Sequence, residues 1–287
     1  MRWQGGRRSS NIQDRRGQRR GGGLIGGGIG TVALLLLAMY FGVDPNLLIE
    51  GLQSSGGAAT SVGSQPTEEQ LRSDPLADMV AVVMADTEDV WHEIFAAVGR
   101  RYQEPTLVLF TGSTRSACGV GQAAMGPFYC PADQRAYIDL SFYDDMKKRF
   151  QAPGDFAQAY VIAHEVGHHV QNLLGISDQV RRRQQNLGEA DANRLSVRLE
   201  LQADCLAGVW ANRADKARAI LEVGDIDEAL NAASAIGDDR LQMQTRGTVV
   251  PESFTHGTSA QRAHWFRAGL SGGELDSCDT FAADVDQ

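Results

Sequence analysis

Apolar residues recur at helical spacing from about Pro75 to Gly99, with Val80, Val83, Val90, Ile94 and Val98 roughly on one face. The run TLVLF (106–110) is continuously apolar and β-prone, and it predicts a strand. RAYIDLSF (135–142) alternates and predicts a second strand, while the Gly-rich interval from Cys118 to Cys130 reads as a loop or hairpin. Beyond it the helical period dominates, over about 144–150, 155–174, 177–186, 191–213, 216–222 and 225–236. Asp155, after Pro153 and Gly154, is placed to cap the second of these, and Gly175 to stop it. A last helix starts at Ser259 and carries AQRAHWFRAGL. The predicted class is α+β, mostly helical, with a small β-sheet.

The N-terminal pattern is of another kind. Residues 24–43, LIGGGIGTVALLLLAMYFGV, hold no charge over 20 positions, the length that crosses a bilayer core of roughly 30 Å. Seven arginines and one aspartate lie in residues 1–20. No A-x-A-like cleavage site closes the apolar run, so a retained anchor is favoured over a cleaved signal peptide. The arginines then keep the N-terminus cytoplasmic and send the remainder across. Gly26 and Gly30 form a G-x-x-x-G step through which two anchors can pack as a homodimer; simple tolerance of small residues explains the step equally well. The expected layout is a basic cytoplasmic segment (1–23), a transmembrane anchor (24–43), a flexible linker (44–73) rich in Gly, Ser and Thr over 51–70, and one domain (74–287) with an acidic, frayed end.

The net charge of −9 leaves that body strongly acidic once the arginine-rich start is set aside. A nucleic-acid partner is excluded, because binding phosphates needs a basic face. The four cysteines all lie in the part expected to be exported, which favours two disulfides. Of the three possible connectivities, Cys118–Cys130 with Cys205–Cys278 is preferred.

The candidate chemistry sits in VIAHEVGHHVQNLLG (161–175). At about 100° per residue, His164 and His168 share a helix face, a turn apart. Both imidazoles can then reach one zinc ion, with Glu165 beside it to handle a proton. Gly167 leaves room for a close neighbour, and His169 points elsewhere in a structural role. The pair His92-Glu93 has alanine at position 96 and lacks the second histidine. In RLELQADCLAGVW (198–210), Glu200 and Asp204 stand at i, i+4 on an otherwise apolar face. Buried carboxylates there need cations or donors. A zinc ion explains Glu200, and a bond to a zinc-bound imidazole explains Asp204. The alternative is a solvated acidic edge paired with Arg198 or Arg213.

The runs AMGPFYCPADQRAYIDLSFYDD, AQAYVIAHEVGHHVQ and ELQADCLAGVWA resemble the bacterial predicted neutral zinc metallopeptidases, single-span membrane proteins with an exported domain. The resemblance covers about residues 75–275, together with the basic start and the anchor. That family in turn looks like the gluzincin branch of the zincins, whose third ligand is a glutamate on a later helix. The resemblance implies a zincin-like domain in which His164, His168 and Glu200 hold Zn2+, Glu165 is the base and Asp204 orients a ligand histidine. FTHGTSAQR (254–262) is similar to a late histidine-containing stretch of membrane-linked gluzincins, with Gly257 where proline usually follows. It makes His256 a candidate oxyanion donor, beside Tyr137.

The implied function is a membrane-anchored peptidase hydrolysing peptide bonds outside the cytoplasm, with Glu165 activating a zinc-bound water. A peptide or protein substrate would lie along RAYIDLSF or the segment before it, with the Cys118–Cys130 loop as a candidate lid. The alternatives are a catalytically silent, zinc-stabilised, membrane-tethered binding protein, and hydrolysis of a small-molecule or cell-wall amide at the same site.

Overall fold

The computed structural model describes residues 1–17, 65–123 and 126–282, and its first element is a strand that periodicity did not indicate. This is β1 (Ile12–Asp14), which pairs in parallel with β2 (Thr106–Phe110), Ile12 opposite Leu107. Where the sequence reading sets residues 1–23 apart as a basic segment, the structure includes residues 1–16 in the same unit as the body from Gln65 onward. The reason is charge complementarity across long sequence distance. Arg8 grips Asp78 through two 2.8 Å hydrogen bonds, Arg7 pairs with Glu88 and Asp89, and Arg16 pairs with Asp14 and Asp74. The expected anchor (24–43), its Gly26/Gly30 step and most of the linker lie outside the described residues. Among the described residues, no helix is long and apolar enough to cross a membrane.

A short helix, α1 (Glu68–Arg72), precedes the expected domain start at Asp74, with Thr67 and Gln70 forming a capping box. Asp74 caps α2 (Pro75–Ala97) by accepting from the N–H groups of Leu76 and Ala77, and Pro75 takes the first turn, where no N–H is needed. The Cys118–Cys130 interval resolves into the turn and second strand of a hairpin, β3 (Ser113–Ser116) with β4 (Gly119–Gln122), followed by β5 (Phe128–Cys130). Then comes β6 (Arg135–Asp139), shorter than the alternating run because Ser141 already opens α3 (Ser141–Lys148). The main sheet has the order β1-β2-β6-β5, parallel except for β5, which runs antiparallel to β6.

The rest is helical: α4 (Asp155–Leu173), α5 (Ile176–Gln184), α6 (Glu189–Arg218), α7 (Asp225–Ala235), α8 (Asp238–Arg246) and α9 (Ser259–Gly272). Asp155 is the first residue inside α4 rather than its cap, a position held by Gly154 at φ 123°. No separate helix covers 216–222; α6 continues to Arg218 and ends at Ala219, at φ 52°. The sequence reading passed over α8. α9 starts at Ser259 as expected, capped by Thr258 in a capping box with Gln261.

Both preferred disulfides are present. Cys118–Cys130 ties the β3–β4 turn to β5, and Cys205–Cys278 ties α6 to the C-terminal segment. Gln202 donates to the Cys278 carbonyl and Arg198 to those of Thr280 and Phe281, so this segment is fastened where fraying was expected. At the centre of the core, Phe156 of α4 stacks on Trp210 of α6, and Phe266 of α9 meets Tyr160 edge-on.

Candidate metal centre

The helices α4 and α6 approach closely because α4 has no side chain at Gly167. A Cβ there would stand 3.0 Å from the Ala203 carbonyl oxygen of α6. On α4, His164 and His168 are one turn apart; on α6, Glu200 and Asp204 repeat that spacing opposite them. His164 Nε2 lies 3.2 Å from Glu200 Oε2, and His168 Nε2 lies 3.4 Å from Glu200 Oε1. The nearest ligand atoms of the three residues all fall within 4.8 Å of one another. Zinc bonds of 2.0–2.2 Å at tetrahedral angles separate neighbouring donor atoms by about 3.3 Å. The three side chains therefore fit a zinc ion both in chemical type and in spacing.

The other nitrogen of each imidazole is already engaged. Asp204 Oδ1 holds His164 Nδ1 at 2.8 Å, and Gln171 Oε1 holds His168 Nδ1 at 2.9 Å. Such partners hold each ring in place, so that both Nε2 atoms face Glu200. Gln171 is itself oriented by bonds from its amide to the Leu199 carbonyl (2.6 Å) and Gln202 (3.1 Å).

Asp204 is wholly buried and heavily solvated by protein. Arg262 of α9 donates Nε to Oδ2 at 2.8 Å and Nη2 to Oδ1 at 2.9 Å, and the Tyr160 hydroxyl donates to Oδ1 at 2.5 Å. Arg262 also donates to Tyr160 at 3.2 Å. Burial alone would push the Asp204 carboxyl up, but Arg262 and His164 outweigh it and hold the group below its usual range. The alternative pairing with Arg198 or Arg213 is corrected: Arg198 donates to the Thr280 and Phe281 carbonyls, and Arg213 binds Gly273 and Glu274.

Glu165 and Glu200 respond in opposite directions. Burial raises the Glu165 carboxyl, against the pull of His164 and His168. Burial also works to raise Glu200, but His168 and His164 win and hold it well below the carboxylate range. His164 is opposed by burial and favoured by Asp204 and Glu200, which push it up to about 10.

These groups open onto a cleft of about 690 Å³ lined by Tyr160, His164, Glu165, His168, Glu200, His256 and Arg262, with Phe128 and Tyr129 of β5 on its wall. His256 is half-exposed; its Nδ1 lies 3.2 Å from Asp238 Oδ1 and 3.0 Å from the Thr255 hydroxyl. That bond to Asp238 raises its imidazole despite burial.

Two expectations change and one holds. Tyr137 is buried in the sheet and donates its hydroxyl to Asp133 at 2.7 Å, away from the cleft, so it is no oxyanion donor. RAYID lies inside the sheet, paired on both sides, so it cannot receive a peptide; β5, the segment before it, is the edge strand among the described residues. His169 does point away, with Nε2 at 2.6 Å from the Gln103 carbonyl and Nδ1 at 2.9 Å from the Tyr129 hydroxyl.

The sequence reading missed Arg262, Tyr160, Gln171 and Asp238. The arginine left no distinct signal, since the same helix also carries Arg267 and His264. A second acidic group, Asp155, Asp225 and Glu228, is spaced for a cation, but the Met1 amine already pairs with Asp155 (3.0 Å) and Asp225 (3.1 Å).

A family model described as "Putative neutral zinc metallopeptidase" matches residues 1–281. The chain is 52% identical over 294 residues to "Uncharacterized protein YpfJ" of Escherichia coli (strain K12), covering 99% of this chain and 100% of that one. It is 44% identical over 192 residues to "Uncharacterized protein Rv2575" of Mycobacterium tuberculosis (strain H37Rv), covering 63% and 64% of the two chains. No solved structure gives a significant match.

Proposed function

Because the chain belongs to the neutral zinc metallopeptidase family, we propose that it is a zinc-dependent peptidase of the zincin type, with His164, His168 and Glu200 as the metal ligands. The observation that carries this reading is the convergence of two imidazole Nε2 atoms and one carboxylate on a common point, with the Glu165 carboxyl in the same cleft. When bound, zinc supplies Lewis acidity, which acidifies water and polarises a carbonyl oxygen.

The remaining work belongs to the chain. A peptide extended along the edge strand β5 gains main-chain hydrogen bonds and lays its scissile bond across the cleft. The Glu165 carboxylate accepts a proton from the attacking water and returns it to the leaving amine. His256, held by Asp238 on the cleft wall, donates a hydrogen bond to the carbonyl oxygen as negative charge builds there. Asp204, Arg262 and Tyr160 keep His164 in one orientation.

The two disulfides favour an oxidising compartment, so the peptide bonds hydrolysed are those of extracytoplasmic substrates. Membrane attachment through residues 24–43 is part of the proposal and rests on their sequence.

Glu165→Gln separates this reading from a silent binding protein. The variant is expected to keep one equivalent of zinc while cleavage of an unfolded protein substrate falls by about 10²–10⁴-fold. Metal analysis and a peptidase assay on the same sample check it. An unchanged cleavage rate rejects Glu165 as the base, and no chelator-sensitive cleavage by the wild type rejects the peptidase.

A further inference from the structure

The N-terminal segment is part of what the body folds around. Its backbone is bound at four places: Arg2 N–H donates to the Ile220 carbonyl (2.8 Å), Ser9 N–H to Ala81 (2.9 Å), Arg15 N–H to Leu109 (2.8 Å), and Leu107 N–H to Asn11 (2.8 Å). Ile12 is 1% exposed within the main core. Two carboxylates of α2 depend on the segment for partners. Glu88, also 1% exposed, accepts from Arg7 and Asn11 at 2.9 Å each, and from Ser9. Asp78 is held by Arg8. Taking the segment away would leave buried carboxylates without counter-charges, a costly state.

Both flanks of the interval between this segment and the rest are fixed near each other. Arg16 Nη1 lies 2.5 Å from Asp74 Oδ2, and Gln65 Nε2 donates to the Ser10 carbonyl at 3.1 Å. The sequence between them contains one strongly apolar run of 20 residues, 24–43. A single crossing by that run would put β1 and β2 on opposite sides of a bilayer. A return crossing needs a second apolar run of about 20 residues. Residues 44–64, DPNLLIEGLQSSGGAATSVGS, carry Asp44 and Glu50 and end in a polar, Gly-rich half, so they provide none.

We propose that residues 1–16 and the body from Gln65 onward fold together in one compartment. The arginines that suggested a cytoplasmic N-terminus have a different use: Arg7, Arg8 and Arg16 neutralise acidic residues of the body. Attachment to a bilayer through 24–43 then requires both flanks to stay on the same face. This inference is independent of the catalytic reading.

The test uses the full chain in its own membrane, with one added thiol at the exposed position 4 (Gln4→Cys) or the exposed position 148 (Lys148→Cys). The four native cysteines are disulfide-bonded. A membrane-impermeant maleimide is applied to intact spheroplasts and then to lysed ones. The expected result is that both thiols behave alike, labelled before lysis or only after it. Labelling of one before lysis and of the other only after it overturns the proposal. Docking is checked separately by melting the purified full chain: Arg8→Asp is expected to lower the Tm by about 5 °C or more, and Arg8→Asp with Asp78→Arg to recover much of the loss. An Arg8→Asp variant that melts like the wild type also overturns it.

Discussion

Asp204 shows how a single buried charge is tolerated and used. Its two oxygens take hydrogen bonds from Arg262, Tyr160 and His164, so that a group wholly out of solvent has its lone pairs occupied. Removing the cation should be severe: Arg262→Ala is expected to cost about 3–5 kcal/mol, the usual result of stripping one partner from a buried ion pair. Chemical denaturation measures it, and a loss below about 1 kcal/mol would contradict the role given to Arg262. Asp86 of α2 behaves in the opposite way. Burial pushes its carboxyl up to about 6, against the pull of Arg218 at 2.5 Å. A folded-state pKa above the unfolded value of 3.8 means this group's contribution is present below pH 4 and is lost as pH rises through 6. Asp86→Asn does not titrate, so its Tm relative to the wild type should rise between pH 4 and 6 and stay level above. A difference independent of pH would contradict the assignment. The His and Glu residues of the site were legible in the sequence because helical spacing alone puts them on common faces. Arg262 was not, since it is brought to Asp204 from another helix, 58 residues away.

At the level of elements, the centre depends on how closely α4 and α6 pack. Gly167 permits this, and on the far side of α6 the absence of a side chain at Gly269 lets α9 come in; a Cβ there would meet the Cys205 carbonyl at 1.9 Å. Gly167→Ala is expected to move the Ala203 backbone by a few tenths of an ångström and to weaken zinc binding by about 10–100-fold, as other disturbances of ligand support do. Competition with a chromogenic chelator reads the affinity, and an unchanged value would mean that the helix spacing has slack. Sequence period located α2, β2 and α4–α6 well, because long amphipathic or continuous apolar runs carry their own signal. It placed β6 but could not show that β5 takes the outer position, since strand order is set by pairing across the sheet. The end of α6 was missed because only Ala219, at φ 52°, closes it, and α8 because DDRLQMQTR has too few apolar residues for a helical period to show.

For the molecule as a whole, the two cross-links close loops of very different size, with sequence separations of 12 and 73 residues. Loop-closure entropy gives about 3 kcal/mol for the shorter and about 4 kcal/mol for the longer. The longer also holds the C-terminal segment against α6, the helix that carries Glu200 and Asp204. Replacing Cys205 and Cys278 together by alanine should therefore lower both Tm and zinc affinity, whereas Cys118→Ala with Cys130→Ala should lower Tm with little effect on zinc. That the cysteines form two disulfides was readable from an even count in a chain expected to be exported, while the count alone leaves three connectivities open. The docking of residues 1–16 was not, because arginines beside an apolar run look alike whether they face lipid headgroups or the carboxylates of Asp78 and Glu88. The central claim is that α4 and α6 together present one zinc site. Anomalous diffraction at the zinc absorption edge from crystals of the zinc-loaded protein tests it most directly. The account predicts a single strong peak about 2.0–2.2 Å from His164 Nε2, His168 Nε2 and a Glu200 oxygen; a peak elsewhere, or a Glu200 carboxylate turned away from the ion, would contradict it.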